Sequence, residues 1–297
     1  MITPQQEVPQ LAKALGLSVP LYLKREDLHP YGSHKGRSIP IMIEQYAKGG
    51  ATRFAISSSG NAALAALMYI NEYNQKFTEG PLNLQIYVGE NISDEKYQTL
   101  SHFAQKNDLA SRDVISITKT DRPKQTVHML DKRGEAKSLR QSQDPMATSG
   151  YHALANELLE IPNLGAIFIP TSSGTTAEGL NEVFKNRVQI HIAQTTHIHP
   201  MSEEFDSNFT PSEVSLADAI VDTVALRKDK VSQVIKESGG SGWVIGNDLI
   251  RKSIDLLKEY AGLEASANAV LSIASITKAT ENGWEQTGSI VAIITGR

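Results

Sequence analysis

Three clusters in this 297-residue chain carry residue types that could do chemistry. The first runs Lys24-Arg25-Glu26-Asp27 and then, after His29, Pro30-Tyr31-Gly32-Ser33-His34-Lys35-Gly36-Arg37-Ser38. A lysine amine serves as nucleophile or base only when part of its population is unprotonated, and burial beside cationic groups lowers its pKa toward neutrality. Lys35 stands among His34 and Arg37, although by composition alone such a run of charges reads as a solvated face. The second cluster, Ser57-Ser58-Ser59-Gly60-Asn61, sets three consecutive hydroxyls and an amide ahead of an apolar stretch. A carboxylate accepts several hydrogen bonds and would use such a set. A plain helix cap, with Asn61 in a turn of positive φ, is the competing reading. The third is Thr171-Ser172-Ser173-Gly174-Thr175-Thr176. Small residues let a backbone approach a phosphate, a helix start supplies N–H donors, and hydroxyls add more. Ordinary capping uses the same residues. The loop lacks G-x-x-x-x-G-K-S/T and G-x-G-x-x-G, which argues against a nucleotide triphosphatase and a dinucleotide enzyme.

The elements that must position these clusters alternate between short apolar runs and helical patterns. Strands are predicted over 20–24, 53–56, 84–88, 114–117, 166–169, 188–193 and 290–294. Most lack strict alternation, which suits strands buried on both faces of a parallel sheet with helices between them. Helices are predicted over 38–47, 62–73, 97–106, 151–159, 177–184, 248–260 and 265–280. In the penultimate one Leu249, Ile250, Ile254 and Leu257 recur at helical spacing behind an Asn/Asp cap, with Gly262 placed to end it. Residues 119–144 are polar and hold Pro123 and Gly134, and read as a mobile connection or a domain crossing. The expected class is α/β, and each of the three clusters follows a strand and opens a helix, where open α/β sheets bind ligands. The expected division is 1–52 plus 143–297 as a large cofactor-binding domain and 53–142 as a small domain closing on substrate.

Taken together these residues resemble the fold type II pyridoxal phosphate enzymes, which include threonine synthase, threonine and serine dehydratases, cysteine synthase and the tryptophan synthase β chain. The strand ending in Lys24-Arg25-Glu26-Asp27 matches a K-x-E-D-like run, and Gly32-Ser33-His34-Lys35-Gly36-Arg37 matches G-S-x-K-x-R. Ser58-Ser59-Gly60-Asn61 matches S-x-G-N, and Ser172 to Thr176 the phosphate loop. Thr295-Gly296 after the last strand looks like the threonine synthase ending. Weaker echoes are Thr3-Pro4 and the segment from Gly262 to Ala267. The resemblance covers nearly the whole chain, in order. It implies two lobes of open twisted sheets with helices on both faces, and pyridoxal 5'-phosphate as cofactor. Lys35 becomes the Schiff-base lysine and, with Ser59, a catalytic residue. His34, Asn61, Ser172, Ser173, Gly174, Thr175, Thr176 and Thr295 join Lys35 in holding the cofactor, with Asn61 beside its 3-hydroxyl and Thr295 at its ring nitrogen. Ser57, Ser58, Ser59 and Gly60 meet the substrate carboxylate.

Departures from the pattern narrow the activity. Gly36 stands where threonine synthases have Asp, Ala62 where dehydratases have His, and no Pro follows Glu264. The chain stops at Arg297 where relatives commonly continue. Indole chemistry is disfavoured because the Gly-Ala-Gly-Gln loop is missing. The resemblance implies a lyase performing β-elimination or replacement on a small L-amino acid, threonine synthase-like with O-phosphohomoserine as substrate. A serine/threonine ammonia-lyase is the alternative. A cofactor-binding protein without turnover and a sugar or nucleotide phosphate binder using only the 171–176 loop also stay open. Candidate receivers of a distal phosphate are Lys119, Arg122, Lys124 and Lys132, which equally read as exposed loop charges. His191, His197 and His199 invite a metal reading, since His197 and His199 would share a strand face; no carboxylate completes the set, and no metal is expected.

Bulk properties agree with a small-molecule enzyme. With 29 basic and 33 acidic residues the formal charge is −4, which makes no electrostatic case for a nucleic-acid or membrane partner. The absence of cysteine excludes disulfides, thiolate zinc sites and cysteine nucleophiles, and permits a reducing compartment. No apolar run approaches the ~18 residues of a membrane span. A cytoplasmic homodimer is the expectation.

Overall fold

A computed structural model describes residues 2–77, 79–109 and 114–296. In chain order the first elements are β1 (Gln5–Glu7), α1 (Pro9–Ala14), β2 (Leu21–Arg25), α2 (Lys35–Lys48), β3 (Arg53–Ser57), α3 (Asn61–Lys76), β4 (Asn83–Gly89) and α4 (Asp94–Lys106). Then come β5 (Ile115–Thr120), α5 (Pro123–Lys132), β6 (Lys137–Ser138), α6 (Met146–Ser149), α7 (His152–Leu159), β7 (Leu164–Pro170) and α8 (Thr175–Phe184). The last are β8 (Gln189–Thr195), α9 (Lys228–Ser238), β9 (Gly242–Ile245), α10 (Asn247–Ala261), α11 (Leu271–Glu281) and β10 (Ser289–Ile294). The chain divides into two compact units, one of residues 1–29 with 151–297 and one of residues 30–150.

The first unit is built on a six-stranded sheet in the order β1-β2-β10-β7-β8-β9, parallel except for β1. Every residue of β10 and β9 is buried. Such strands carry continuous apolar runs because both faces are covered. Period-two geometry divides β10 between two cores. Ile290, Ala292 and Ile294 pack with Leu11 of α1, Leu257 of α10 and Ile273 of α11. Val291 and Ile293 pack with Leu154 of α7, Leu180 of α8 and Ile235 of α9. The run at 24–27 is not a solvated face: Lys24 is fully buried and pairs with Glu157 at 2.5 Å, and Arg25 pairs with Asp27 at 2.7 Å.

The second unit is a four-stranded parallel sheet in the order β5-β4-β3-β6. Phe54, Ile56, Leu84 and Ile86 face a core that includes Ile39 and Met42 of α2, Leu67 and Ile70 of α3 and Leu100 of α4. Ala55 packs on the other side with Val127 of α5. This unit starts at residue 30, ahead of the expected small domain at 53, because α2 contributes Ile39, Met42 and Ile43 to that core.

Residues 119–144 are not a mobile connection. They hold the end of β5, α5 and β6, with Pro123 in the first turn of the helix, where its missing N–H costs nothing. Only Val127 of α5 is buried, so the apolar signal is thin. The last long helix starts at Leu271 rather than 265. The expected pattern also lacked β1, α1, α6, α9 and β9; α9 carries Val231, Val234 and Ile235 at helical spacing inside a highly charged segment. No helix among the described residues is long and apolar enough to cross a membrane.

Candidate active site

In the second unit, Lys35 is the first residue of α2, with His34 at the cap position. The preceding turn passes through Gly32 at φ +80°, a conformation that favours glycine, and Ser33 Oγ accepts the Lys35 N–H at 3.3 Å. A Cβ built on Gly32 would lie 3.5 Å from Leu64 Cδ2, so this turn rests against the first turns of α3. Tyr31 reinforces that placement: its hydroxyl donates to Glu72 of α3 at 2.5 Å and its ring meets Tyr69 edge-on at 6.0 Å. Burial, and then the Glu72 carboxylate, push the Tyr31 phenol above its ordinary pKa, so it remains a donor. Lys35 and Asn61 both start helices packed in one core; at α2 the Gly36 and Arg37 N–H groups are taken by the Ser33 and His34 carbonyls at 2.9 Å and 3.1 Å.

The serine cluster occupies the C-terminal end of β3. Ser57 ends the strand, Ser58 and Ser59 follow, Gly60 is the cap residue and Asn61 opens α3. No side chain caps this helix, and Ser58 Oγ accepts only the Gly60 N–H, at 3.3 Å. The capping reading therefore fails here, and Asn61 is not among the residues of positive φ. Three half-buried hydroxyls beside a helix N-terminus form a set able to receive a carboxylate.

In the first unit, β7 leads through Thr171, Ser172, Ser173 and Gly174 into α8, whose first residues are Thr175 and Thr176. Gly174 has φ +80°, and a Cβ there would come within 2.5 Å of Val231 Cγ2. That turn aims the first N–H groups of α8 outward beyond the strand, and Ser173 Oγ lies 2.9 Å from Thr175 Oγ1. Ser172 is employed differently: its hydroxyl accepts the backbone N–H groups of Val221 at 3.1 Å and Asp222 at 3.2 Å, tying the 221–222 segment to the loop. Glu178, buried in the first turn of α8, would repel an anion, but it is paired with Arg227 and, at 3.2 Å, with Lys230. Thr295 directly follows β10, which pairs in register with β7 through Ala292 and Phe168, so Thr295 stands at the same carboxyl edge as Thr171. Adjacent strands are ~4.8 Å apart. A buried neutral hydroxyl thus neighbours the candidate phosphate loop.

The remaining candidates separate. His197 and His199 lie beyond the end of β8 and share no strand face; their Nδ1 atoms approach the carbonyls of Ser212 and Thr195 at 3.1 Å and 3.0 Å. His191 is a core residue, stacked on Phe168 at 4.3 Å and accepting the Trp243 indole N–H at 3.2 Å. Burial pushes its pKa from 6.5 down to about 3. It is neutral in the folded protein and takes up a proton on unfolding below pH 6.5. Its contribution to stability is complete above that value and falls as pH drops toward 3, by about 1.4 kcal/mol per unit. Urea unfolding between pH 7 and 4 is expected to show a shallower loss in His191→Phe than in the native protein; parallel curves would refute it.

Lys119 lies over the Tyr97 ring at 4.6 Å and Arg122 is paired with Asp121, both exposed on β5 or after it. Lys124 and Lys132 are exposed on α5. Since β4 separates β5 from β3, Lys119 and Arg122 stand away from the serine cluster. What the sequence reading did not single out is residues 139–142, which follow β6; the Leu139 N–H still donates to the Ala55 carbonyl of β3 at 2.9 Å. Two strand residues inside a polar stretch leave no periodic signal to find them by.

A lysine opening a helix, a glycine-turned hydroxyl loop and a neutral hydroxyl at the sheet edge suit one class of protein, the enzymes that carry pyridoxal phosphate on a two-unit α/β frame. The profile of the pyridoxal-phosphate dependent enzyme family matches residues 2–296, and the chain belongs to this family. It is similar to human L-serine dehydratase/L-threonine deaminase, 42% identical over 64 residues, which is 22% of this chain and 19% of that protein. It is also similar to threonine synthase of Synechocystis sp., 34% identical over 67 residues, 23% of this chain and 18% of that protein. The matched segments are thus under a fifth of these relatives' lengths. Among solved structures, maize serine racemase superposes with TM-score 0.80 at 17% identity, covering 99% of this chain and 87% of that one. A pyridoxal 5'-phosphate-dependent aspartate racemase does so with TM-score 0.79 at 19% identity, covering 100% and 90%. The fold is type II, and the cofactor of the family is pyridoxal 5'-phosphate.

Proposed function

We propose that this enzyme is a lyase performing β-elimination or replacement on a small L-amino acid, threonine synthase-like in that phosphate would leave Cγ of O-phosphohomoserine and water would add at Cβ. The observation that carries the reading is Thr295. A neutral hydroxyl at that edge, meeting the ring nitrogen as the resemblance implies, would leave that nitrogen unprotonated, which would favour elimination over transamination. Bound pyridoxal phosphate supplies an electron sink for charge developing at the substrate α-carbon. Ser172, Ser173, Gly174, Thr175 and Thr176, with the N–H groups opening α8, would hold the phosphate, and Ser172 also fixes the 221–222 segment. His34 and Asn61 would flank the ring. Lys35 would bind the cofactor covalently and, once released, take the α-proton on its ε-amine and return protons later. Ser57, Ser58, Ser59 and Gly60 would orient the substrate carboxylate. Ser59 is the serine we assign to the chemical step, as a hydroxyl that both accepts and donates. A cytoplasmic homodimer belongs to the same reading.

Assays of the holoenzyme with O-phospho-L-homoserine, L-threonine and L-serine separate the possibilities. Threonine and inorganic phosphate from the first substrate are expected. Formation of 2-oxo acids from threonine and serine without phosphate release would establish an ammonia-lyase instead, the activity for which the human relative is named. Bound cofactor without turnover of any of them would remove both.

A further inference from the structure

We propose that Arg140 is the specificity residue of this enzyme, receiving an anionic group, phosphate or carboxylate, on the side chain of the amino-acid substrate. The inference rests on the proposed amino-acid chemistry and names the substrate class within it. It is carried by position, by an uncommitted charge and by rigidity.

Position comes from the register of the second unit. In the parallel pair β3 and β6, Phe54 faces Lys137 and Ala55 faces Ser138, and the Leu139 N–H donates to the Ala55 carbonyl at 2.9 Å. Arg140 lies two residues past Ser138, the end of β6, as Ser57, the end of β3, lies two residues past Ala55, and this places it about one strand spacing (~4.8 Å) from the serine cluster in our proposal. A substrate whose α-carboxylate is held at Ser57 to Gly60 would therefore find a guanidinium on the adjacent strand end.

The charge of Arg140 is uncommitted. The residue is half-buried, and its Nε donates to Ser142 Oγ at 3.1 Å. Among the described residues no carboxylate lies in ion-pair reach of its guanidinium, whereas Arg25, Arg122, Arg133, Arg227 and Arg251 each have one. The acids closest in sequence are engaged elsewhere: Asp144 accepts the Tyr46 hydroxyl at 2.5 Å and the Met146 N–H at 2.8 Å, and Asp131 pairs with Lys137 at 3.2 Å. A half-buried arginine lacking a carboxylate has Nη donors in a planar fork, which match phosphate or carboxylate oxygens.

The backbone is fixed as well. The Arg140 carbonyl accepts the N–H groups of Gln143 at 3.1 Å and Asp144 at 3.2 Å, closing the turn that leads into α6. Sites on such rigid elements discriminate better than sites on loose loops.

The test compares the native holoenzyme with Arg140→Gln and Arg140→Lys on three substrates of one elimination chemistry: O-phospho-L-serine, 3-hydroxy-L-aspartate and neutral L-serine. Turnover gives kcat and KM separately, and the change in cofactor absorbance on mixing gives Kd without turnover. The native enzyme is expected to prefer an anionic substrate, and the phosphate and carboxylate arms tell which. Arg140→Gln should lower that preference in kcat/KM by about 10-fold or more, mainly through KM, with part of it restored in Arg140→Lys. Parallel losses on all three substrates, or a native enzyme that uses serine as well as either anion, would overturn the role of Arg140 while leaving the amino-acid chemistry standing. A native holoenzyme that neither binds nor converts any of the three, nor O-phospho-L-homoserine, would remove that chemistry and this inference together.

Discussion

Lys35→Ala is expected to retain the fold and lose both turnover and covalent cofactor attachment. Lys35 occupies the first position of α2 and is half-buried, and alanine is the best helix former, so the substitution leaves the helix intact. What disappears is the amine placed in the turn that rests against α3. General acid–base catalysis contributes roughly 10²- to 10⁴-fold, and the covalent anchor adds to that, so activity should fall by about 10³-fold or more. Borohydride reduction of the native holoenzyme should add the cofactor mass to the peptide containing Lys35, and the variant should show neither that mass nor visible absorbance of lysine-bound pyridoxal. Lys35→Arg, which keeps the charge but cannot form the bond, should behave like the alanine variant. An unchanged visible spectrum in Lys35→Ala would place the attachment on another lysine.

The second large effect is expected at Gly174→Ala. Residue 174 turns the chain into α8 at φ +80°, where an L-residue carries a penalty of roughly 1–2 kcal/mol. The added methyl would also stand 2.5 Å from Val231 Cγ2 and 3.3 Å from Met201 Cε, an overpacking that typically costs about 1–3 kcal/mol. Relief by backbone movement would turn the first N–H groups of α8 away from the phosphate, so cofactor affinity should drop together with Tm. Adding Val231→Ala should recover the steric part and leave the φ penalty, separating the two causes in a double-mutant cycle. A Gly174→Ala protein that keeps its cofactor through gel filtration and melts with the native enzyme would show that the loop does not cradle phosphate.

Much of the architecture was legible. The apolar runs at 166–169 and 290–294 lie within β7 and β10, and the helical spacing of Leu249, Ile250, Ile254 and Leu257 belongs to α10, which ends at Gly262 in a left-handed cap. Long buried strands and amphipathic helices announce themselves by period. The segment 119–144 misled because α5 buries only Val127 and β6 has two residues, too few for a period to emerge. The Ser172 hydroxyl receives the amides of residues 221–222, some fifty positions away, a partner no local pattern reveals. Lys119 and Arg122 lie on β5 or after it, with β4 between them and β3, because strand order, not the density of charge along the chain, decides which groups neighbour the serine cluster.

By itself the sequence determined the chemistry available: the lysine before a helix, the hydroxyl loops after strands, the absence of cysteine, and the alternation that makes an α/β protein. These are local properties, set by residue type and by spacing over a few turns. Only the tertiary structure decided which of these groups share an edge. Placing β10 between β2 and β7 brings Thr295 to the same sheet edge as a loop more than a hundred residues earlier, and pairing β6 with β3 brings Ser138 beside Ala55. Parallel strands are joined by long crossovers, so neighbours across the sheet are remote along the chain, and their pairing is chosen by burial of both sheet faces rather than by any short-range signal.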